Sequence, residues 1–234
     1  MYTLKTVGQQ VIYQIINPFI KLLIVLKVTP NVITTIGLIL NVFAGGIFIY
    51  AAEASFRGDF SYIGWGGAMI LFAGVFDMID GRLARVGNMS SKFGAFYDSV
   101  LDRYSEMFMF LGICYYLISH HYLFSSFFAF LALIGSSMVS YTRSRAEGLG
   151  VKCDIGWMQR PERIVIIGGS ALLCGILAPI IGNDFKIQGL EPNIPWFETI
   201  SIFTIPMSIV AVLSNYTALQ RIEHTKKSLA ENEK

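Results

Sequence analysis

The stretch DMIDGRLARVGNMSSKFGAFYDSVLD, Asp77 to Asp102, decides how the rest of this sequence is read. It sets four aspartates, Asp77, Asp80, Asp98 and Asp102, between and beside long apolar segments. A charged side chain near a bilayer core is costly and usually marks a functional site. The stretch is therefore either a soluble loop or a polar pocket at a membrane surface, and its surroundings decide between the two.

Of the 234 residues, 54% are hydrophobic and 15% charged, and the mean hydropathy is +0.57. Soluble domains carry roughly 25% charged residues. Val28–Ala52, Phe60–Phe76, Met107–Thr142, Ile164–Asn183 and Thr199–Gln220 contain no Asp, Glu, Lys or Arg. A helix needs about 20 apolar residues to cross the hydrocarbon. The Met107–Thr142 run is too long for one crossing, and His120-His121 divides it. These runs predict an all-α integral membrane protein with six transmembrane helices, at 29–52, 61–85, 94–119, 122–146, 161–182 and 196–221. A soluble helical bundle would show polar faces that these runs lack.

Six spans put both termini on one side. Of the 18 basic residues only Arg57 and Lys186 fall on the other side, so the termini face the cytoplasm. Glu53, Asp59, Asp184, Glu191 and Glu198 all fall outside. Residues 1–28 read as an N-terminal interfacial amphipathic segment, a helix pair broken at Pro18, with Lys5, Lys21 and Lys27 at the headgroups. Residues 29–222 form the six-helix domain and 223–234 a polar tail, a cytoplasmic helix end that frays. The outer loop from Gly182 to Pro195 reads as a plain connector. A net charge of +2 gives no reason to expect nucleic acid, and its placement indicates a lipid bilayer. Cys114, Cys153 and Cys174 form no paired framework and read as reduced. No cleavable signal is expected at the N-terminus.

On this map Asp77 and Asp80, three apart, share a face at the inner end of the second span, and Asp98 and Asp102, four apart, share one at the start of the third. Two antiparallel helices joined by the short VGNMSSK turn lie side by side, so the four carboxylates converge on a cytoplasm-facing polar cavity. Like charges disfavour one another's ionisation unless a counter-charge is present. Oxygen ligands with no His or Cys nearby suit Mg²⁺, Mn²⁺ or Ca²⁺ rather than zinc. Paired metals roughly 3.5–4 Å apart commonly stabilise phosphoryl transfer. Gly81 and Gly94 either leave room for a ligand or let the helices pack closely. Salt bridges to Arg82, Arg85 and Arg103 are the structural alternative for the aspartates.

The spacing Asp77-x2-Asp80-Gly81-x2-Ala84-Arg85-x8-Gly94-x3-Asp98-x3-Asp102 resembles the signature of the CDP-alcohol phosphatidyltransferases. With background frequencies of roughly 5–8% per residue, chance agreement at these eight positions is rarer than about one in 10⁸. The resemblance implies displacement of CMP from CDP-diacylglycerol by an alcohol, with two Mg²⁺ or Mn²⁺ ions as cofactors. It implies that Asp77, Asp80 and Asp98 hold the metals, with Asp102 as a further ligand or the base; Asp98 and Asp102 are the catalytic candidates. Gly81 and Ala84 make room for the cytidine, with Asp80 and Gly94 at the same site, and Arg85 reaches the nucleotide's phosphates. Thr29, Pro30 and Asn31 either face the nucleotide or only start the first span, Thr29 as N-cap and Pro30 at the first helical position. It also implies a homodimer, paired through the small-residue and aromatic faces of the third and fourth spans, and a cavity open sideways for the lipid tails. Direct in-line displacement is expected, because no Ser, Cys or His stands in the motif.

A second charged stretch, SYTRSRAEGLGVKCDIGWMQRPERIVII over 140–167, gathers Arg143, Arg145, Arg160 and Arg163 at the inner ends of the fourth and fifth spans. Arginines at a helix start suit a phosphate, which points to an acceptor that carries one. Ordinary positive-inside anchoring is the plainer alternative. YTRSRAE and QRPER resemble the phosphatidylinositol-phosphate synthase branch, with Arg143 in place of its lysine and Gln159 in place of its glutamate. That branch implies inositol 1-phosphate as acceptor. Glycerol 3-phosphate, free inositol and serine are the rival alcohols, and a cation transporter using the aspartates is the rival class. The bacterial inner membrane is the expected location.

Overall fold

The computed structural model describes residues 16–183, 185–188 and 195–232. Its helices are α1 (Ile16–Val25), α2 (Pro30–Ala54), α3 (Ser61–Val86), α4 (Lys92–Ser119), α5 (Leu123–Gly148), α6 (Arg160–Ile181) and α7 (Ser201–Asn232). A two-stranded ribbon, β1 (Lys186–Gln188) and β2 (Pro195–Glu198), joins α6 to α7. Helices α2, α3, α5, α6 and α7 are long and apolar enough to cross a membrane. Helix α4 is as long, but Asp98, Asp102, Arg103 and Glu106 load its first half with charge. The chain is an all-helical integral membrane protein whose outer faces expose Ile39, Phe43, Phe72, Leu111 and Phe127.

Local chemistry sets the helix ends. Thr29 is extended and Pro30 takes the first helical position of α2, where the absent N–H costs nothing. The Asp59 carboxylate accepts from the Ser61 N–H (3.1 Å) and hydroxyl (2.6 Å) at the start of α3. Ser91 caps α4 by accepting from the Gly94 N–H at 2.9 Å. Asn88 has a positive φ of 51°, which reverses the chain between α3 and α4. His121, with φ of 61°, does the same between α4 and α5, at the predicted His-His break.

Helix α2 packs against α3 and α4, α3 against α6, and α5 against α4 and α7. Two crossings depend on glycine. At the α2–α4 crossing Gly45 and Gly112 meet so closely that a Cβ on Gly45 would lie 2.5 Å from the Phe108 carbonyl oxygen. At the α3–α6 crossing a Cβ on Gly64 would lie 2.9 Å from the Gly175 Cα. Around these contacts Phe48 stacks on Phe203 (6.2 Å between centroids) and meets Tyr116 edge-on (6.3 Å), tying α2, α4 and α7 together.

Three expectations differ from this architecture. Helix α1 includes Pro18 among its helical residues, so the break expected there is not seen among the described residues; residues 1–15 of the predicted interfacial segment lie outside them. Ile16, Ile20 and Leu23, one helical face, pack on Ile33, Ile79 and Leu83, so this segment is docked on α2 and α3. The 182–195 connector contains strand β1, paired antiparallel to β2 with Lys186 opposite Glu198, and the two side chains form a 3.6 Å ion pair. The last helix starts at Ser201 rather than 196, because 195–198 is spent on that ribbon. The polar tail from 223 continues α7 to Asn232, with a Glu223–Lys227 ion pair (2.7 Å) four residues apart along one face. Cys114, Cys153 and Cys174 are free thiols.

Valine at Gly112 would force α2 and α4 apart. Overpacking of this kind costs about 1–3 kcal/mol. The thermal midpoint of the detergent-solubilised G112V protein is expected to fall by about 2–12 °C; an unchanged midpoint would mean that the crossing is not close-packed.

Candidate active site

Helix α3 ends and α4 begins at the same end of the bundle, but both pack on α2 and not closely on each other, so the side-by-side contact expected of them is not made. Across the gap between them Asp80 and Asp98 line one cleft, and Asp77 and Asp102 share one arginine. The cluster has a third wall. Arg160, the first residue of α6, places Nη1 2.6 Å from Asp77 Oδ2 and 2.8 Å from Asp102 Oδ1. The counter-charge to Asp77 and Asp102 thus comes from α6. Arg82 bonds Asn17 Oδ1 through Nε and Nη2, both at 3.3 Å, and Arg103 turns to Ser99 and Ser144.

With Arg160 between Asp77 and Asp102, no group of three or more carboxylates among the described residues is gathered tightly enough to hold a metal ion. Arg160 takes one oxygen each of Asp77 and Asp102. The donor chemistry nevertheless fits a hard divalent cation. Every side-chain donor is a carboxylate oxygen. Asp80 is 5% exposed, and its Oδ2 is buried with no hydrogen-bond partner among the described residues. A carboxylate oxygen kept from water and left unbonded is an open coordination position.

Two cavities meet at this cluster. The first, of about 130 Å³, lies between the start of α2, the inner end of α3 and the start of α4. Pro30, Asn31, Asp80, Gly81, Ala84 and Gly94 line it, as the sequence led us to expect, together with Thr34 and Ser91. Gly81 packs on no neighbouring helix: a Cβ there would come no nearer than 3.7 Å to anything but its own surroundings, the nearest atom being Arg85 Nη2. A Cβ on Gly94 would touch Ser91 Oγ (3.0 Å) and Asn31 Oδ1 (3.3 Å), so this glycine holds the cleft open. Two expected residues stand apart. Thr29 is the extended residue before α2, and Arg85 folds its Nε back to the Gly81 carbonyl at 2.9 Å; neither lines the cavity. Gly37 was not foreseen. It lets Asp77 approach α2, since a Cβ there would sit 3.3 Å from Asp77 Oδ1.

The second cavity, of about 410 Å³, lies between α4, α5, α6 and α7 and is lined by Arg103, Arg143, Arg160, Arg163 and Arg221. Asp98 lines both cavities. Of the four arginines expected to gather, Arg143, Arg160 and Arg163 line this space. Arg143 is steadied by Glu147 (2.9 Å) and Asp154 (3.3 Å). Arg145 does not reach it and lies on the other side of α5, beside Thr225 and Lys226. Residues two apart on a helix point about 200° away from each other. Arg163 is 1% exposed and fully engaged: Nε (3.2 Å) and Nη2 (2.6 Å) bind Glu106, and Nη1 donates to the Met158 carbonyl at 2.9 Å. It supports the wall of the cavity rather than facing into it. The sequence reading missed Arg221, which is 2% exposed and donates to the carbonyls of Ile155 (2.9 Å) and Val139 (2.6 Å). Its only signal was a basic residue closing the last uncharged run.

The chain matches the CDP-alcohol phosphatidyltransferase family model over residues 27–210. It is 30% identical over 213 residues to the phosphatidylinositol phosphate synthase of Mycobacterium tuberculosis, covering 91% of this chain and 85% of the relative. It is 34% identical over 157 residues to the archaetidylinositol phosphate synthase of Methanothermobacter thermautotrophicus, covering 67% of each. The crystal structure of the M. tuberculosis enzyme with CDP-DAG bound superposes with a TM-score of 0.67 at 27% identity, over 91% of this chain and 94% of that one. A second structure of that enzyme, in complex with manganese and citrate, also gives 0.67, at 25% identity over 89% and 87% of the two chains.

The Glu106–Arg163 pair bolts α4 to α6 one turn from the aspartates. Removing one partner of a buried pair strands the other charge and costs about 3–5 kcal/mol. Arg163→Met is therefore expected to lower the thermal midpoint sharply, and the double variant Arg163→Met, Glu106→Leu to recover most of the loss. A double variant no better than the single would show that packing, not the stranded carboxylate, sets the cost.

Proposed function

The chain belongs to the CDP-alcohol phosphatidyltransferase family, and from that premise we propose that it transfers the phosphatidyl group of CDP-diacylglycerol to a hydroxyl of inositol 1-phosphate, releasing CMP and phosphatidylinositol phosphate. The observation that carries this reading is the position of Asp98, which lines both the glycine-walled cleft and the arginine-walled cavity. A group-transfer site needs a donor and an acceptor that meet at one point. The first cleft suits the nucleotide: Gly81, Ala84 and Gly94 leave it without bulky side chains, and Asn31 offers a side-chain amide. The second suits an acceptor with its own phosphate, held by Arg143 and Arg160 with Arg103 and Arg221 adding positive potential. A cation transporter is set aside by family membership. Serine and free inositol would leave the arginines without a partner.

Asp77, Asp80, Asp98 and Asp102 would hold two Mg²⁺ or Mn²⁺ ions, which when bound neutralise the pyrophosphate charge that develops on CMP. The oxygen of the acceptor hydroxyl bonds to the phosphatidyl phosphorus as the bond to CMP breaks. Asp98 or Asp102 takes the hydroxyl proton. A carboxylate is a weak base, so holding the two substrates in line across Asp98 supplies most of the acceleration.

The membrane arrangement follows the same reading. Helix α4 crosses as a sixth span, with its charged end at the inner surface. Helix α1 lies in the interface, both termini and both cavities face the cytoplasm, and the membrane is a bacterial inner membrane. The basic residues support that orientation: among the described residues, Arg57 and Lys186 alone lie at the opposite end. Exposed Phe108, Leu111, Phe127 and Phe130 on α4 and α5 support pairing of two copies.

CMP release by the purified protein tests the proposal, with CDP-diacylglycerol, Mn²⁺ and each candidate alcohol supplied separately. Release is expected with inositol 1-phosphate, is abolished by a chelator, and falls by about 10²-fold or more in Asp98→Asn. Release with glycerol 3-phosphate alone would keep the transfer chemistry and overturn the acceptor.

A further inference from the structure

Arg160 is bonded on one side only. Its Nη1 serves two acids, Asp77 Oδ2 at 2.6 Å and Asp102 Oδ1 at 2.8 Å. Its Nε and Nη2 are buried with no hydrogen-bond partner among the described residues. A guanidinium carries five N–H donors in a fixed fork, so the half of the fork best shaped for a carboxylate or phosphate is unspent. Arg163, one turn further along α6, has all three nitrogens engaged. Buried donors without acceptors are costly. Attraction to two carboxylates therefore holds Arg160 in a position that leaves its hydrogen bonding unsatisfied.

The oxygens that Arg160 covers are ones a divalent cation would need, and two cations cannot share the same lone pairs. The arginine has somewhere else to go. It also lines the second cavity, and its Cα is fixed at the start of α6 just before Pro161, with the long side chain as the movable part. We infer that Arg160 is an exchangeable internal counter-cation: it holds Asp77 and Asp102 until a divalent cation takes those carboxylates, and its guanidinium then turns into the arginine-lined cavity to bind the acceptor's phosphate. This rests on the reading of the aspartates and the second cavity given above. Its consequence is an order of binding. The metal-free protein keeps its acceptor site short of one arginine, and the metal completes it.

Binding measurements without the donor lipid test the exchange. In titrations of the wild-type protein, inositol 1-phosphate is expected to bind about tenfold more tightly with saturating Mn²⁺ than in chelator, and by linkage to tighten Mn²⁺ by the same factor. Arg160→Gln, which removes the competing cation, is expected to bind Mn²⁺ about tenfold more tightly than wild type and to lose most of the Mn²⁺ dependence of inositol 1-phosphate binding. In Arg143→Gln, affinity for the phosphate falls while its Mn²⁺ dependence persists. Mn²⁺ affinity in Arg160→Gln equal to or weaker than wild type, at an unchanged thermal midpoint, overturns the exchange. If that variant does not fold, absence of reciprocal tightening in the wild type overturns it equally. Wild-type protein that binds no Mn²⁺ sensitive to Asp98→Asn overturns the metal reading as well, whereas Mn²⁺ bound with no link to Arg160 overturns the exchange alone.

Discussion

Four carboxylates inside an apolar helical bundle cannot be left uncompensated, and that constraint organises the molecule. Each must be solvated, bonded or paired, because a buried, unpaired charge costs far more than any local packing gain. The pairing comes from a distant part of the chain. Arg160, more than fifty residues beyond Asp102, bridges Asp77 and Asp102 and so draws α3, α4 and α6 to one point. One turn further on, the Arg163–Glu106 pair repeats the connection at greater depth. Two tiers of charge at one end of the bundle thus do what apolar side chains do elsewhere.

The opposite requirement, close approach without charge, is met at the glycine crossings. In lipid there is little hydrophobic gain from bringing helices together, so contact must come from fit. Gly45 with Gly112, and Gly64 with Gly175, let backbones touch where any side chain would collide. These crossings hold α4 against α2 and α6 against α3. They thereby fix the inner ends, where the same helices part to form the two cavities. A cleft walled by small residues and a cavity walled by arginines need different linings, and the bundle provides both by ending different helix pairs at the same level.

Much of this was legible in residue order. Charge-free runs marked every long helix, since crossing hydrocarbon demands about 20 apolar residues whatever the packing. The three- and four-residue spacings of Asp77, Asp80, Asp98 and Asp102 put each pair on a helix face, because that geometry is local, but the two helices meet through α2 and not through their short turn. The cleft residues Gly81, Ala84 and Gly94 were marked by the resemblance to the family signature. What failed was also local in cause. Pro18 was read as a break although α1 includes it.

Residue order by itself determined the helical membrane class and the placing of the aspartates in pairs on two helix faces, because these depend on hydrophobic length and helical period. The tertiary structure alone decided which arginine answers which acid. Arg143, Arg145, Arg160 and Arg163 look alike in sequence, each near a helix end. In the fold one is salt-bridged at the cavity edge, one points away, one bridges the aspartates and one is sealed against Glu106. Charge partners are chosen by distances between helices far apart in the chain, and those distances are fixed by how the whole bundle packs.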